Sequence, residues 1–384
     1  MCLCVLIVPD KFKFTLSALQ AAESIAEGWR AVRPNDYVEQ LPMSDGGDGF
    51  GAVLGHILAA ERRTCATINS AGKSCDAQWW YAPRTGTAVV ETAQVIGLAA
   101  LPAGKYHPFE LDTFGIGAVF KDAARSGARL LYVGLGGSST NDGGFGLARA
   151  LGWRFWAGTN EVLRWTALDE LTHVTEPSNP ISFESLIIAV DVSNPLLGIN
   201  GASRIYGQQK GLREELDMLK AEACLQRLAE VVASQLGQNM AVLEGAGAAG
   251  GLGFGLKAFC AGKIESGGEI FSALSGLEYR IKNADVVITA EGALDAQSLM
   301  GKGVGLIAEK TARAGKRCIC LAGAVRINAA DLAGSNFQAY AIVPGIAGLE
   351  ESMAQTGDCL QRLASSVAGD FTIHVESPIN LQGN

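Results

Sequence analysis

The sequence predicts an α/β protein built on a doubly wound parallel sheet, and two observations support this. Short apolar strands alternate with amphipathic helices at both ends of the chain, which is typical of a parallel sheet covered by helices on both faces. The middle of the chain differs, because it holds most of the long Gly-rich loops. We therefore expect one domain formed by residues 1–66 and 284–384, with a large second α/β domain, residues 67–283, inserted between them.

The N-terminal elements are predicted from the spacing of apolar residues. Residues 3–8 form an apolar run of strand length, and residues 37–41 form a second predicted strand. Between them, residues 17–32 carry apolar side chains at helical spacing. Ser17 followed by Gln20 is the capping-box pattern that begins a helix. The start of the chain therefore predicts a strand, a helix and a second strand.

The remaining predicted elements continue this alternation. The middle of the chain places strands and helices between Gly-rich loops, and the C-terminal third returns to short strands separated by amphipathic helices. Strands are predicted at residues 89–91, 129–133, 187–190, 286–289, 318–321 and 341–343. Helices are predicted at residues 116–126, 145–151, 214–236, 304–314 and 349–367.

The charge and the apolar pattern exclude two classes of partner. The formal net charge is −8, so no basic stripe is available for nucleic acid. No apolar run reaches the ~18 residues that a membrane span needs. The apolar start, residues 1–8, lacks the basic flank of a signal peptide. We therefore expect a cytoplasmic protein that binds a small molecule, with no nucleic-acid or membrane partner.

The most informative stretch is a glycine-rich turn, residues 134–144, between a predicted buried strand and a predicted helix. Its glycines let backbone N–H groups turn toward one point, its polar side chains add donors, and the helix start adds positive potential. These candidate ligand-binding residues are Gly136, Gly137, Ser138, Ser139, Thr140 and Asn141. Asp142 adds an oxygen ligand for Mg²⁺. The turn predicts a pocket for a phosphate and its metal ion, and the alternative is a turn that only lets strand and helix pack closely.

Two further loops follow predicted strands and carry carboxylates. Asp45 and Asp48 stand in the glycine turn M-S-D-G-G-D-G, where they are plausible partners of Mg²⁺ or of a hydroxyl. Asp191 directly follows an apolar strand and is placed to take a proton from a substrate hydroxyl. The alternatives are a solvated turn for the first loop and a helix or turn cap for Asp191.

The stretch 245–250 matches G-x-G-x-x-G, the dinucleotide-binding fingerprint. This match opens a rival interpretation, an oxidoreductase that uses a nicotinamide cofactor. However, the preceding apolar run is short, and the match lies in the middle of the chain, whereas the fingerprint normally opens the first βαβ unit. We therefore interpret Gly247, Gly250 and Gly251 as part of a phosphate-binding or packing turn.

Charged residues also follow strands at the two ends of the chain. Asp10 and Lys13 follow the first strand, and Glu291, Asp295 and Lys302 follow the first strand of the C-terminal third. Carboxylates and amines at the carboxyl ends of parallel strands suit a phosphate or carboxylate ligand. The alternatives are a charged surface turn and a helix N-cap. Because these loops all follow strands, we expect them to meet in the cleft between the two domains.

The motifs and their order resemble those of the bacterial type I glycerate kinases, from Leu6 to about Phe371. The most specific match is the string GGSSTNDGG at residues 136–144. Other matching strings are Val8-Pro9-Asp10, Asp45-Gly46-Gly47-Asp48-Gly49, Asp191 with Asn194-Pro195-Leu196, Gln209-Lys210-Gly211, residues 245–253, and Glu291-Gly292 with Asp295 and Gln297. The resemblance implies a Rossmann-like domain carrying a large inserted α/β domain. It also implies ATP-dependent phosphorylation of D-glycerate, most often giving 2-phosphoglycerate.

This reaction assigns a role to each candidate residue, because phosphoryl transfer needs positioning, charge neutralisation and a group that deprotonates the acceptor. The loops 134–144 and 245–253 would hold the ATP phosphates on backbone amides. Asp191 would be the base. The acids that would supply oxygen to Mg²⁺ are Asp45, Asp48 and Asp142. The lysines that would neutralise the glycerate carboxylate or the developing phosphate charge are Lys13, Lys210 and Lys302.

Several positions depart from the family pattern. Lys11 stands where Ser is usual, and Phe14 stands where a small or acidic residue is usual. The usual G-E-G-R is A-E-G-A at residues 290–293, so an arginine is absent. Losing an arginine near an anionic site removes a bidentate clamp, and Lys11 would replace it only as a point charge. A degenerate, non-catalytic binder of a small hydroxy acid or nucleotide, and a related hydroxy-acid kinase, therefore stay open as alternatives.

Overall fold

The structure is a computed structural model that describes residues 2–296, 298, 303–327 and 336–371. Its first half contains β1 (Cys4–Pro9), α1 (Ala18–Val32), β2 (Tyr37–Gln40), α2 (Phe50–Ile57), β3 (Glu61–Ile68), β4 (Ser74–Ala82), β5 (Thr87–Glu91), α3 (Ala93–Ile96), α4 (Ile116–Arg125), β6 (Leu130–Leu135), α5 (Phe145–Ala150), β7 (Arg154–Ala157), β8 (Asn160–Glu161), β9 (His173–Thr175) and β10 (Ser185–Val190). Its second half contains α6 (Ala202–Lys210), α7 (Glu215–Leu236), α8 (Ala248–Cys260), β11 (Lys263–Ser266), α9 (Gly267–Ser275), α10 (Leu277–Asn283), β12 (Val286–Leu294), α11 (Val304–Arg313), β13 (Arg317–Val325), β14 (Phe337–Val343), α12 (Leu349–Ala354) and α13 (Thr356–Asp370).

The chain divides into two compact units. The first unit comprises Met1–Pro42 with Glu278–Asn384, and the second comprises Met43–Leu277. The first division between the units therefore lies after residue 42. The reason is that β3 pairs with β4 along its whole length and α2 packs on β4 and β5, which all belong to the second unit.

The first unit is built on a five-stranded sheet in the order β14-β13-β12-β1-β2, and all its strand pairs are parallel. Numbered within the unit, this order is 2-1-3-4-5, one of the two common doubly wound orders, and it reverses between β1 and β12. Helices α1 and α13 cover one face, where they pack on Val5, Ile7 and Ile288. Helix α11 packs on β12 and β13, on the other side. The doubly wound α/β prediction is confirmed.

Two helices of the first unit show where the sequence was and was not sufficient. The capping box at α1 is present as predicted, because the Gln20 amide donates to Ser17 Oγ and Gln20 Oε1 accepts from the Ser17 amide. The single helix predicted at residues 349–367 is instead two helices, α12 and α13. The backbone leaves helical geometry at Gln355, with φ −133° and ψ 47°.

The second unit contains a six-stranded mixed sheet in the order β11-β10-β6-β5-β4-β3. Strands β11, β10, β6 and β5 are parallel, whereas β4 and β3 form an antiparallel hairpin at one edge. A separate three-stranded antiparallel sheet is formed by β8, β7 and β9. Among the helices of the described residues, none combines the length and apolar character that crossing a membrane requires.

Candidate active site

Three neighbouring parallel strands of the second unit end at the same edge of the sheet. Glu91 at the end of β5 is level with Gly134 of β6, and Val190 at the end of β10 is level with Leu135 at the end of β6. The segments that follow these strands include the glycine-rich turn and Asp191. This edge is where open α/β sheets bind ligands.

The loop that carries Asp45 and Asp48 packs on the glycine-rich turn. Gly137 has φ +58°, and a Cβ at this position would overlap the Asp48 carboxylate. Asp48 is exposed and Asp45 is half-buried, and Asp45 Oδ1 accepts a hydrogen bond of 3.3 Å from the Gly47 amide. The structure therefore brings the Asp48 carboxylate beside the turn, while Asp45 lies in the same loop.

Glu91 holds the loop of Asp45 and Asp48 in place, a role that the sequence did not indicate. Its carboxylate is buried and accepts hydrogen bonds from the amides of Gly49 and Gly51, at 3.1 and 3.0 Å. The two amides belong to the start of α2, where a negative charge is stabilising. The available signal was a charged residue at the end of an otherwise apolar buried strand.

Lys210 reaches into the glycine-rich turn from the last residue of α6. Only 6% of its surface is exposed, and Nζ donates to Ser138 Oγ at 2.9 Å and to the Thr140 carbonyl at 2.7 Å. Burial lowers the pKa of Lys210 to about 7, while the Asp142 carboxylate opposes this change. When it is protonated, the Lys210 amine is a positive charge held by neutral oxygens inside the turn. Such a charge favours the binding of an anionic ligand.

The polar side chains of the turn fall into two groups. Ser139 is committed to the protein, since its hydroxyl donates to the Ile96 carbonyl at 2.9 Å and lies 2.8 Å from Ser70 Oγ. Thr140 and Asn141 are also fully buried, but Thr140 Oγ1 and Asn141 Oδ1 have no hydrogen-bond partner. Buried polar atoms are normally paired, so these two atoms fit a bound water or ligand group.

Asp142 accepts hydrogen bonds from within the protein. It is fully buried, and its carboxylate accepts from Thr113 N, Thr113 Oγ1, Gly144 N and Gly146 N at 2.8 to 3.2 Å. Burial raises its pKa, while these hydrogen bonds lower it. This carboxylate is thus occupied in fixing the start of α5, and its role as a Mg²⁺ ligand stays a prediction. Burial, with Asp142 nearby, also raises the pKa of Asp112 to about 6.

The stretch 245–253 supports the turn by packing. A Cβ at Gly250, where φ is +72°, would overlap the Thr140 carbonyl, and the Gly143 amide donates to the Gly250 carbonyl at 3.0 Å. The amide of Gly247 donates to Asn194 O, and the amide of Gly251 donates to Gly247 O. Of the two predicted roles, packing is the one that these contacts favour.

Asp191 lies at the same edge, half-buried at the end of β10. Its charge acts on Tyr206, whose pKa is raised by burial and further by Asp191. The Tyr206 hydroxyl donates to Asn194 Oδ1 at 2.6 Å, and Asn194 Nδ2 donates to the Asn200 carbonyl at 2.8 Å. Asp191 is thus beside an ordered polar network that the sequence did not reveal.

In the first unit, the predicted residues lie where the strand order reverses. Asp10 follows β1, and its amide donates to Ala290 of β12 at 2.8 Å. Lys13 is exposed, and a Cβ on Gly292 would lie 3.6 Å from its backbone nitrogen. Glu291 is a half-buried residue of β12.

Asp295 makes the hydrogen bonds of a cap, which was the alternative to a ligand-binding role. Its Oδ1 accepts from the Ser298 amide at 3.1 Å, and its own amide donates to Ser298 Oγ at 3.2 Å. Lys302 lies outside the described residues. Asp10, Lys13, Glu291 and Asp295 therefore gather around β1 and β12, and Asp295 caps a turn there.

No three-residue cluster for a metal forms within the described ranges, where no group of three His, Cys, Asp or Glu side chains is suitably placed. Magnesium in kinases is commonly held by one or two carboxylates together with substrate phosphates. Asp45 and Asp48 fit that smaller donor set.

The fold and these loops define a class of protein: an α/β protein with a glycine-rich turn at the carboxyl ends of parallel strands. The Glycerate kinase family model matches residues 5–372. A glycerate kinase of Halalkalibacterium halodurans is 34% identical over 377 residues, which cover 95% of this chain and 97% of the relative. A glycerate 2-kinase of Escherichia coli is 34% identical over 378 residues, covering 96% and 98%.

A solved structure agrees with these sequence matches. A crystal structure from Salmonella typhimurium LT2, provisionally described as glycerate kinase 2, has a TM-score of 0.82 and 30% identity, with 96% of this chain and 98% of that chain covered. The chain belongs to the glycerate kinase family, and it is an enzyme of the phosphotransferase class. The family resemblance stated from the motifs is confirmed.

Proposed function

We propose that this enzyme transfers the γ-phosphoryl group of ATP to a hydroxyl of D-glycerate and gives 2-phosphoglycerate. The glycerate kinases among its relatives support the acceptor. The observation that carries the donor is Lys210, a buried amine bonded to Ser138 and Thr140 within the glycine-rich turn. Keeping a charged amine in such a place is unfavourable unless an anion arrives to pair with it.

In this proposal the turn after β6 binds the phosphates. Gly136 and Gly137 present backbone amides, and Ser138 and Lys210 add a hydroxyl and a positive charge. The unpaired Thr140 Oγ1 and Asn141 Oδ1 complete the hydrogen bonding of bound groups or water. Gly247, Gly250 and Gly251 act indirectly, by holding the turn in position.

Asp45 and Asp48 would hold Mg²⁺, because carboxylate oxygens in a flexible turn beside a phosphate site suit this ion. The ion, when bound, supplies positive charge that stabilises the phosphates during transfer. The Asp48 carboxylate lies against Gly137 of the turn, where a Cβ would overlap it.

Asp191 is proposed to orient the acceptor hydroxyl and accept its proton. The groups of the first unit are proposed to bind the three-carbon acid: Lys13 and Lys302 through its carboxylate, and Asp10, Glu291 and Asp295 through its hydroxyls. These charges lie at the switch point of a doubly wound sheet, a common ligand position.

The direct test is incubation of the purified enzyme with Mg-ATP and D-glycerate, followed by ³¹P NMR. We expect ADP and 2-phosphoglycerate. A 3-phosphoglycerate signal would contradict the proposed position of transfer. No turnover with D-glycerate would leave the related hydroxy-acid kinase, if another acid is phosphorylated, or the non-catalytic binder, if none is.

The base assignment is tested with Asp191→Asn. Removing the proton acceptor should lower kcat by ~10²- to 10⁴-fold, while the Kd for ATP changes little. The matched control is Asp76→Asn, an exposed aspartate of the β3–β4 hairpin, which should leave kcat unchanged. Full turnover in the Asp191 variant would remove this residue from the mechanism.

A further inference from the structure

A cavity of about 630 Å³ lies in the second unit beside the glycine-rich turn. Its apolar wall comes from residues 98–103, which follow α3. Tyr106 and His107 line it farther along the same segment, and Gln209, Lys210 and Arg213 line it from the end of α6 and the residues that follow. None of the roles described above uses this space.

One end of the cavity is joined to the turn by direct hydrogen bonds. The Leu98 amide donates to the Gly137 carbonyl at 2.7 Å, and the Ser139 amide donates to the Ile96 carbonyl at 2.8 Å. Lys210 belongs to both places, because it lines the cavity and donates to Ser138. A ligand bound to the turn therefore has this cavity immediately next to it.

The other end is anchored by aromatic and polar contacts. His107 Nε2 lies 3.1 Å from Asp217 Oδ2 of α7, and His107 Nδ1 accepts from the Phe109 amide at 3.3 Å. The Phe109 ring meets Trp165 edge-to-face at 5.3 Å. The Trp165 indole donates to the Leu111 carbonyl at 3.1 Å. This end of the cavity, around His107 and Leu111, is thus held in place by the fold.

Size and chemistry decide which part of the reactants fits. A three-carbon acid would fill a small part of 630 Å³, and its polar groups would gain nothing from an apolar wall. A nucleoside has the opposite character, with a flat apolar face and polar edges, which matches sites of a few hundred Å³ lined by apolar and aromatic groups. The charged residues, Lys210 and Arg213, suit the phosphates that follow the nucleoside.

We propose that this cavity holds the adenosine part of the phosphoryl donor, with the base against the wall of residues 98–103 and the phosphate chain leading to Lys210 and Ser138. The inference rests on the proposed function, since it takes ATP as the donor. It assigns nucleotide recognition to the second unit alone, and to a segment with no nucleotide-binding motif.

The test uses a variant that fills the cavity, Ala103→Trp. Ala103 is exposed, so the larger side chain can be accommodated without disturbing the core. Val242→Trp is the matched control, because Val242 is 67% exposed and lines a different cavity of about 640 Å³. Calorimetry would measure the Kd of two probes, adenosine, which lacks phosphates, and tripolyphosphate, which lacks the base.

We expect the wild-type enzyme to bind both probes. Ala103→Trp should weaken adenosine at least tenfold and tripolyphosphate less than twofold, and Val242→Trp should change neither. Ala99→Trp, at a second exposed wall position, should repeat the result if the first variant does not fold. Failure of adenosine to bind the wild type, or equal binding of adenosine by the folded wall variants, would overturn the proposal.

Steady-state kinetics separate this inference from the proposed function. If the wall variants turn over D-glycerate with an unchanged KM for ATP, the adenosine assignment falls while the kinase function stands. If no variant, wild type included, consumes ATP with D-glycerate but adenosine binding is lost on filling the cavity, the site stands and the proposed function falls. If the wall variants have a raised KM for ATP and an unchanged KM for glycerate, the result supports both the adenosine site and the kinase function.

Discussion

The charged candidate site residues of the two units differ in how deeply they are buried. In the first unit, Asp10, Glu291 and Asp295 are half-buried and Lys13 is exposed, at the edge of an all-parallel sheet. In the second unit, Lys210 and Asp142 are buried and tied to the turn by several hydrogen bonds. Burial shifts the pKa values of the second set: it lowers the pKa of Lys210 and raises the pKa of Asp142. Among the candidate site residues that the structure describes, the fully buried charges therefore belong to the second unit.

The largest effect on activity should come from replacing a lysine by methionine, and the same change can be made in each unit. Lys210→Met should lower kcat/KM by ~10²- to 10³-fold, because a buried charge aimed at the phosphates is worth far more than a solvated one. Lys13→Met should cost about tenfold or less, since water already screens this amine. Steady-state kinetics with Mg-ATP and D-glycerate would measure both. Equal losses in the two variants would break the comparison.

A second pair of variants compares the acids by stability. Asp142→Ala leaves buried donors from Thr113, Gly144 and Gly146 without an acceptor, so the free energy of unfolding should fall by about 3 kcal/mol. Asp295→Ala removes the cap of a half-buried turn and should cost about 1 kcal/mol. Urea denaturation would measure both values. A smaller loss for Asp142→Ala than for Asp295→Ala would show that the buried network is not held as tightly as described.

A smaller effect follows from the pKa of Lys210. In the native state this pKa is about 7, against an ordinary value of 10.5, so between these pH values the unfolded chain binds a proton that the native protein does not. The free energy of unfolding should therefore rise with pH in that window, by up to about 1.4 kcal/mol per pH unit from this group. Below pH 7 both states are protonated, and this group adds no further pH dependence.

Lys210→Met isolates that contribution. The difference in unfolding free energy between wild type and variant should move in favour of the wild type as pH rises from 7 to 10, in urea titrations at each pH. Cysteines and tyrosines also titrate in this range, but they are the same in both proteins and cancel in the difference. A difference independent of pH would mean that Lys210 has an ordinary pKa.

The sequence was informative where local patterns decide the structure. Periodicity placed β1, α1, α7 and α11 within a residue or two of their observed bounds, and the Ser17–Gln20 cap followed from side-chain spacing. The edge of the second sheet was missed, because β3 and β4 are stabilised by pairing with each other. Antiparallel pairing of this kind leaves a weak trace in a single strand. The same pairing places β3 in the second unit.

The site was predictable as a set of loops but not in the role of each residue. A carboxylate in a glycine loop has the same sequence signature whether it binds an ion or caps a helix, so the hydrogen bonds that Asp142 accepts could not be predicted. Its partner Thr113 is distant in sequence, and only the folded chain brings them together. Likewise, the motif at 245–250 could not show that position 250 needs a glycine because a Cβ there would overlap the Thr140 carbonyl. Long-range contacts decide these roles.

The close approach of Gly250 to the backbone of Thr140 has a consequence for engineering. The turn after β6 and the segment around residue 250 are separate in sequence, yet each shapes the other's backbone. The two segments therefore have to be transferred together. If the turn is grafted into another protein or varied in a library, the segment around residue 250 must be kept with it. Without that segment, the turn loses the backbone contacts that hold its conformation.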